Sequence, residues 1–211
     1  RGGEKMVENI KWLGHASILI SFGGKNIYID PWKLIKDQPK GDLILITHSH
    51  YDHFSVDDIN KISKKETIII GPHDILKLKI GEKIEIKPGQ EIKLNWVKIK
   101  GVPAYNVNKH FHPKGNNWLG YIIEIEGQKI YIAGDTDYIP EMKEISADIV
   151  ILPIGGTYTM TAEEAANVVN TIKPKVAIPY HFGDIVGSEK DAKLFASLVL
   201  NARVEILRVE K

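Results

Sequence analysis

The segment Leu43-Ile44-Leu45-Ile46, followed at once by Thr47-His48-Ser49-His50-Tyr51-Asp52-His53, constrains this chain more than any other part of it. Four consecutive branched apolar residues read as a buried strand. A core strand that ends in His-x-His-x-Asp-His sends three imidazoles and a carboxylate off one rigid edge into a small volume. Imidazole and carboxylate together suit zinc and other borderline divalent ions. A rigid strand end keeps the donors in place. One histidine is ordinarily a satisfied polar or surface residue, and two at i, i+2 arise by chance. Three with an interposed aspartate, directly after a core strand, point to a metal site.

Two later apolar runs end in the same manner. Lys129-Ile130-Tyr131-Ile132 leads through Ala133-Gly134 to Asp135 and Thr136. Gly-Asp most commonly serves a turn, so Asp135 alone would be an ordinary capping residue. Val176-Ala177-Ile178-Pro179-Tyr180 leads to His181-Phe182-Gly183. An isolated histidine beside aromatics is more often core than ligand. What singles out His181 is that it ends the third such strand.

His-x-His-x-Asp-His after a strand is the signature of the metallo-β-lactamase superfamily, and the chain resembles that superfamily along nearly its whole length. Gly14-His15-Ala16, Asp30-Pro31-Trp32 and Ala133-Gly134-Asp135-Thr136 resemble its small stand-alone metal-dependent hydrolases. These are distant relatives of the ascorbate-lactone hydrolases and of the phospholipases that cleave N-acyl phosphatidylethanolamine. Pro103-Ala104-Tyr105-Asn106 and Pro153-Ile154-Gly155-Gly156-Thr157-Tyr158-Thr159-Met160 are similar to a largely uncharacterised archaeal and bacterial sub-group. The resemblance implies an α+β fold, a four-layer αββα sandwich of two face-to-face sheets with helices outside, as one domain over residues 1–211. It implies that Asp135 bridges two metals, that His181 is the last metal-binding histidine, and that Asp30 supports the metal loop from beneath. His15 belongs either to that supporting layer or to the pocket wall.

One ligand stays open. The superfamily usually supplies a further histidine from the loop between the two halves, here Pro103 to Asn117, which contains His110 and His112. Counting back from Trp118-Leu119-Gly120, the phospholipase-like position falls nearest Asn106. His112 is the expected ligand, with Phe111 and Pro113 as its anchors, and His110 and Asn106 are the rivals. The expected first ion is then held by His48, His50 and His112, and the second by Asp52, His53 and His181. Two such ions, zinc with manganese or iron as alternatives, would share a water at about 3.5–4 Å separation and turn it into a hydroxide near neutral pH. The expected activity is hydrolysis of an ester, lactone or phosphodiester bond in a small-molecule substrate. Asp52 would orient the hydroxide, and Tyr158 or a metal-bound water would protonate the leaving group. The alternative is a scaffold or sensing module that binds metal without turnover, its Gly155–Met160 loop serving as a docking surface.

Absences narrow this further. There is no cysteine, which excludes a disulfide scaffold and cysteine-ligated zinc. That also departs from the lactamases that place a cysteine in the second site. Nucleic-acid-processing relatives insert a large domain between the bridging aspartate and the last histidine, whereas 45 residues separate Asp135 from His181 here. Di-iron oxygen-reducing relatives carry a glutamate where this chain has His50. Glyoxalase-type relatives add a helical C-terminal region, and this chain stops soon after its last expected strand. A net charge of +1 from 28 basic and 27 acidic residues gives no pull toward nucleic acid or anionic membrane. No apolar run approaches the roughly 20 residues needed to span a bilayer. Residues 1–5 lack an apolar stretch, so no signal peptide and a cytoplasmic location are expected. Abundant Lys, Ile and Glu with scarce Gln fit a thermophile.

Short strands are expected at Ile10–Trp12, Ile18–Ile20, Ile27–Ile29, Leu43–Ile46 and Thr67–Ile70, with a helix from Ser55 to Ile62 capped by Ser55. Ile84–Ile86, Glu91–Leu94 and Trp96–Ile99 read as an antiparallel meander around Pro88-Gly89. Strands follow at Leu119–Ile125, Lys129–Ile132 and Ile149–Leu152. Thr161-Ala162-Glu163-Glu164 is a capping box opening a helix to about Ile172. A strand at Val176–Ile178, a helix at Glu189–Asn201 and a strand at Val204–Leu207 complete the set. His73, beside Pro72 at an expected helix start, reads as ordinary surface.

Overall fold

A computed structural model describes residues 6–35 and 37–210, so the N-terminal residues considered for a leader lie outside it. Alternating branched side chains sort the strands into two sheets. The first sheet contains β1 (Ile10–Trp12), β2 (Ile18–Phe22), β3 (Lys25–Ile29), β4 (Leu43–Leu45), β5 (Ile68–Gly71) and β6 (Glu82–Glu85), side by side in that order. β1 to β3 are antiparallel and β3 to β6 parallel. The second contains β7 (Glu91–Lys93), β8 (Lys98–Pro103), β9 (Leu119–Ile125), β10 (Gln128–Ile132), β11 (Ile149–Pro153), β12 (Val176–Tyr180) and β13 (Arg203–Val204), again adjacent in sequence order. Here β7 to β10 are antiparallel and β10 to β13 parallel.

Period-2 alternation decides the layering. Ile18, Ile20, Ile27, Ile29, Leu43 and Leu45 pack in one cluster with Ile99, Tyr121, Ile123, Ile130 and Ile132 of the other sheet. The opposite face of the first sheet, Leu19, Tyr28, Ile44 and Ile69, packs with Ile59 and Ile62 of helix α1 (Val56–Ile62). Helices α2 (Ala162–Ile172) and α3 (Glu189–Leu198) contribute Ala165, Val168, Val169, Ala192 and Phe195 to the main core. The result is the expected helix–sheet–sheet–helix stack. The expected caps form: Ser55 Oγ accepts from Asp58 N, and Thr161 and Glu164 make a reciprocal capping box. Among the described residues, no helix is long and apolar enough to cross a membrane.

Three expectations need correction. The meander does not form: β6 pairs in parallel with β5 in the first sheet, while β7 and β8 make a hairpin in the second. The Pro88-Gly89 segment therefore carries the chain between sheets. Parallel pairing across the Pro72–Gly81 connection is the kind of long-range contact that local turn chemistry does not report. Helix α3 ends at Leu198, not Asn201, where Val199 leaves helical geometry. The last strand is Arg203–Val204, and Glu205–Leu207 continue as irregular chain.

The parallel strands position the chemistry. β3, β4, β10 and β12 run into Asp30, the His48–His53 loop, Asp135 and His181 respectively. Open sheets of parallel strands place ligand groups beyond the carboxyl ends of the strands, and here two such sheets end at a common edge. The Tyr121 hydroxyl on β9 donates to Ile46 O at 2.5 Å, tying the sheets together directly under the histidine loop.

Candidate metal centre

The histidine loop begins where β4 stops. Thr47 N donates to Asp30 Oδ1 at 2.8 Å, and the Thr47 hydroxyl donates to Asp30 Oδ2. His48 Nδ1 lies 2.9 Å from that hydroxyl oxygen, and His53 Nδ1 2.7 Å from Asp30 Oδ2. Asp30, fully buried at the end of β3, thus fixes His53 directly and His48 through Thr47. With Nδ1–H committed on both rings, the Nε2 lone pairs are left to face the centre.

Asp135 stands in the middle. Its Oδ2 is 3.1 Å from His112 Nε2, 3.3 Å from His53 Nε2 and 3.8 Å from His48 Nε2, and its Oδ1 is 3.1 Å from His181 Nε2. Gly134, with φ +69°, makes the approach possible, since a Cβ there would meet Leu119 O at 2.6 Å. Backbone in the left-handed region also occurs at His15 (φ 48°), Asp30 (φ 46°) and His181 (φ 59°). Such conformations cost about 1–3 kcal/mol each for ordinary residues and concentrate at functional sites.

His112 and its rivals separate clearly in position. His112 is 2% exposed and aims Nε2 at Asp135. His110 is exposed. Asn106 is buried, but its Oδ1 accepts from His112 N at 2.9 Å and from His112 Nδ1 at 3.0 Å. Its Nδ2 donates to Tyr158 O and Asp137 Oδ1, which fixes the amide's orientation. Asn106 is therefore the anchor of His112. Phe111, expected to anchor it, is half exposed and packs on Tyr158 instead.

Two donor groups emerge: His48, His50 and His112, and beside them His15, Asp52, His53 and His181; within each, one atom per residue lies within 4.8 Å of the others. His15 Nε2 meets Asp52 Oδ2 at 2.7 Å, so its ring holds that carboxylate. His181 N donates to His15 O at 2.9 Å, joining the two through the backbone. His73 is a surface residue, as expected, 3.2 Å from Glu85.

The donor set fits a divalent cation. His53 Nε2, His112 Nε2, His181 Nε2 and Asp135 Oδ1 are all buried without a hydrogen-bond partner, although they lie 3.1–3.3 Å from carboxylate oxygens or imidazole nitrogens. Buried polar atoms are ordinarily paired. Two donors on one tetrahedral zinc, each at about 2.0–2.2 Å, lie about 3.3 Å apart. The separations seen here are those of donors arranged around a cation. Charge agrees. Burial alone would push Asp135 up, but the close approach of the His181, His53 and His112 imidazoles holds it well below the usual carboxylate range. Burial and the neighbouring imidazoles push His48 well below the usual imidazole range. Asp52, despite burial, is held low by His15 and His53.

Sequence reading missed three contributors. Thr47 relays Asp30 to His48. Gly134 N donates to the Tyr180 hydroxyl oxygen at 3.1 Å, bracing the Asp135 turn. Trp118 lies 4.9 Å from both His48 and His50, with its Nε1 donating to Asp74. Trp118 was legible only as the end of the interhalf loop, since its partners come from other strands. The pocket over the centre has a volume of about 230 Å³. A larger cavity, about 810 Å³, lies under Ile206–Val209 and reaches the centre's residues only at His15.

Residues 9–181 match the β-lactamase superfamily domain. A UPF0173 metal-dependent hydrolase of Thermoplasma acidophilum is 35% identical over 224 aligned positions, covering 97% of this chain and 98% of its own length. A crystal structure described as a metal-dependent hydrolase from Parabacteroides distasonis superposes with a TM-score of 0.81 at 33% identity, covering 94% of this chain and 93% of that one. Igni18, a metallo hydrolase of Ignicoccus hospitalis, superposes with a TM-score of 0.78 at 26% identity, covering 96% and 95%.

Proposed function

The chain belongs to the β-lactamase superfamily, among its stand-alone metal-dependent hydrolases, and from that premise we propose that it is a dinuclear, zinc-type hydrolase of an ester, lactone or phosphodiester bond in a small molecule. The observation that carries the reading is the convergence of unpartnered imidazole nitrogens on the single buried carboxylate of Asp135. In this proposal His48, His50 and His112 hold one ion, Asp52, His53 and His181 the other, and Asp135 spans both. Zinc suits this nitrogen-and-oxygen set, with manganese or iron as alternatives. Divalent ions bound there would supply Lewis acidity, lowering the pKa of water toward neutrality and polarising the scissile bond.

The chain's own residues do the rest. Asp30 and Asn106 fix the tautomers of His53 and His112, so that no reorganisation is needed when a substrate arrives. His15 holds the Asp52 carboxylate at the edge of the pocket. Tyr51 and Tyr158 line the pocket and are its two phenolic hydroxyls; Tyr158 is the proposed proton donor to the leaving group. Buried Asp135 stays ionised and accepts rather than donates.

The test is a metal analysis of purified protein joined to a hydrolysis panel of p-nitrophenyl esters, a lactone and bis-p-nitrophenyl phosphate, with and without chelator. Two ions per chain and chelator-sensitive turnover are expected. Two bound ions with no turnover of any substrate would mean a binding module.

A further inference from the structure

We propose, building on the hydrolase reading above, that this centre acts on uncharged carboxylic esters or lactones with a compact apolar acyl group, and not on phosphodiesters. Three observations carry this. The first is the mouth of the pocket. Tyr51, Phe111 and Ile185 are 71%, 47% and 37% exposed, yet they line the same small pocket as His50, Asp135 and His181. Large apolar side chains held open around a polar centre mark a surface that a ligand covers. This surface is also preformed. Phe111 packs edge-on against Tyr158 at 4.6 Å, and Tyr51 against Trp32 at 6.0 Å.

The second observation is charge. Among the described residues, no lysine or arginine lines the pocket. Of the flanking lysines, Lys33 donates to both oxygens of Asp184, and Lys109 to Asp137 at 2.6 Å. The chain has three arginines. Arg203 pairs with Glu205, Arg208 lines the separate larger cavity, and Arg1 lies outside the described residues. Apart from bound metal ions, phosphate recognition characteristically adds an arginine fork or a lysine point charge; among the described residues this pocket offers neither.

The third is size. About 230 Å³ falls below the roughly 300–1,000 Å³ of drug-sized ligand sites. A short acyl chain or a small ring fills such a volume. In the reaction, the oxygen of water bonds to the acyl carbon as the carbon–oxygen bond to the alcohol or ring oxygen breaks. One proton of the water ends on that oxygen, and the other leaves to solvent as the product carboxylic acid ionises.

The experiment uses zinc-loaded full-length protein of measured metal content. Calorimetric titration with hydroxamic acids from acetyl to hexanoyl reads binding without turnover, with dimethyl phosphate as the anionic probe. Burial of each added methylene predicts about a fourfold gain in affinity until the pocket is filled. Dimethyl phosphate should bind at least a hundredfold more weakly than the hexanoyl probe. The kcat/KM of p-nitrophenyl acetate, butyrate and hexanoate should rise in parallel and exceed that of bis-p-nitrophenyl phosphate. Phe111→Ala and Ile185→Ala should flatten the dependence on chain length. Ile185→Lys should shift preference toward the phosphodiester. Affinity and rate independent of chain length, or faster cleavage of the phosphodiester, would overturn the substrate assignment and leave the hydrolase reading intact. Chain-length-dependent binding with no turnover of any substrate would sink the hydrolase reading while keeping the apolar binding site.

Discussion

The two donor groups are built differently, and the difference shows where this centre is robust. His15, Asp52, His53 and His181 rest on strand ends: His53 on Asp30, Asp52 on His15, and His181 on the backbone oxygen of His15. Their supports, Asp30 and His15, are buried and come from the end of β3 and the turn after β1. His48, His50 and His112 rest on less. His48 has Thr47, but His112 arrives from the long connection between β8 and β9 and is held by the single side chain of Asn106. His50 is half-buried, with aromatic contacts to His112 and Trp118. Rigid elements hold a site more precisely than loops do. The second group should therefore keep its ion under conditions that strip the first.

In the proposed assignment Asp135 spans both ions, so its loss should have the largest effect. Asp135→Ala is expected to reduce metal content from two ions to less than one and to lower kcat/KM by at least about 10³-fold, since ligand and charge vanish together. The fold should survive, because Ile130, Ile132, Ile149 and Ile151 beside it pack independently of the carboxylate. Circular dichroism and elemental analysis on one preparation decide this. A variant that unfolds where the metal-free parent stays folded would make Asp135 structural.

Next come the two groups set against each other. His112→Ala should remove one ion and leave the other, while His181→Ala should weaken the second site. His110→Ala should leave the metal content at two. Cobalt substitution, read by its visible bands, separates the two sites during a graded chelator titration. If His110→Ala loses an ion and His112→Ala keeps both, the assignment of the first group is wrong.

Much of this was legible in the chain because it is written locally. A buried strand followed by His-x-His-x-Asp-His, and two further strands ending in Asp135 and His181, need only a period-2 pattern and a donor at its end. The capping residues Ser55 and Thr161 are local as well. What was not legible depends on chain reversals between distant segments. β6 joins the first sheet because β5 lies beside it, which no turn residue announces. Asn106 looked like a poor ligand because its sequence position said nothing of the amide's direction. Asp137 and the Tyr158 carbonyl set that direction, and both lie at least 31 residues away. Trp118 and Thr47 likewise gain their roles only when strands from both sheets end at one edge.

Asn106 offers the sharper test of the comparison. Asn106→Leu keeps the volume but leaves His112 Nδ1 without its acceptor. Removing such an outer partner typically costs about 10–100-fold in metal affinity or activity. The loss should fall on the first ion alone. Equal loss of both ions would mean that the groups are not independent, and that the interhalf loop supports the whole centre.

The smallest expected effect lies one step further out. Asp137 is buried and accepts from Asn106 Nδ2 at 3.2 Å, from Val107 N at 2.8 Å and from Lys109 Nζ at 2.6 Å. It thus orients the amide that orients His112. Asp137→Asn retains shape and the acceptor for Val107 while removing the charge that holds Lys109. Because Tyr158 O still fixes the Asn106 amide, first-ion affinity should fall by only about two- to fivefold, below the roughly 10–100-fold usual for direct outer partners. The second ion should be unaffected. Competition against a zinc-sensitive chromophore measures both constants. A drop as large as that of Asn106→Leu would show that the Tyr158 carbonyl contributes nothing to the amide's orientation and that His112 is positioned through Asp137 alone.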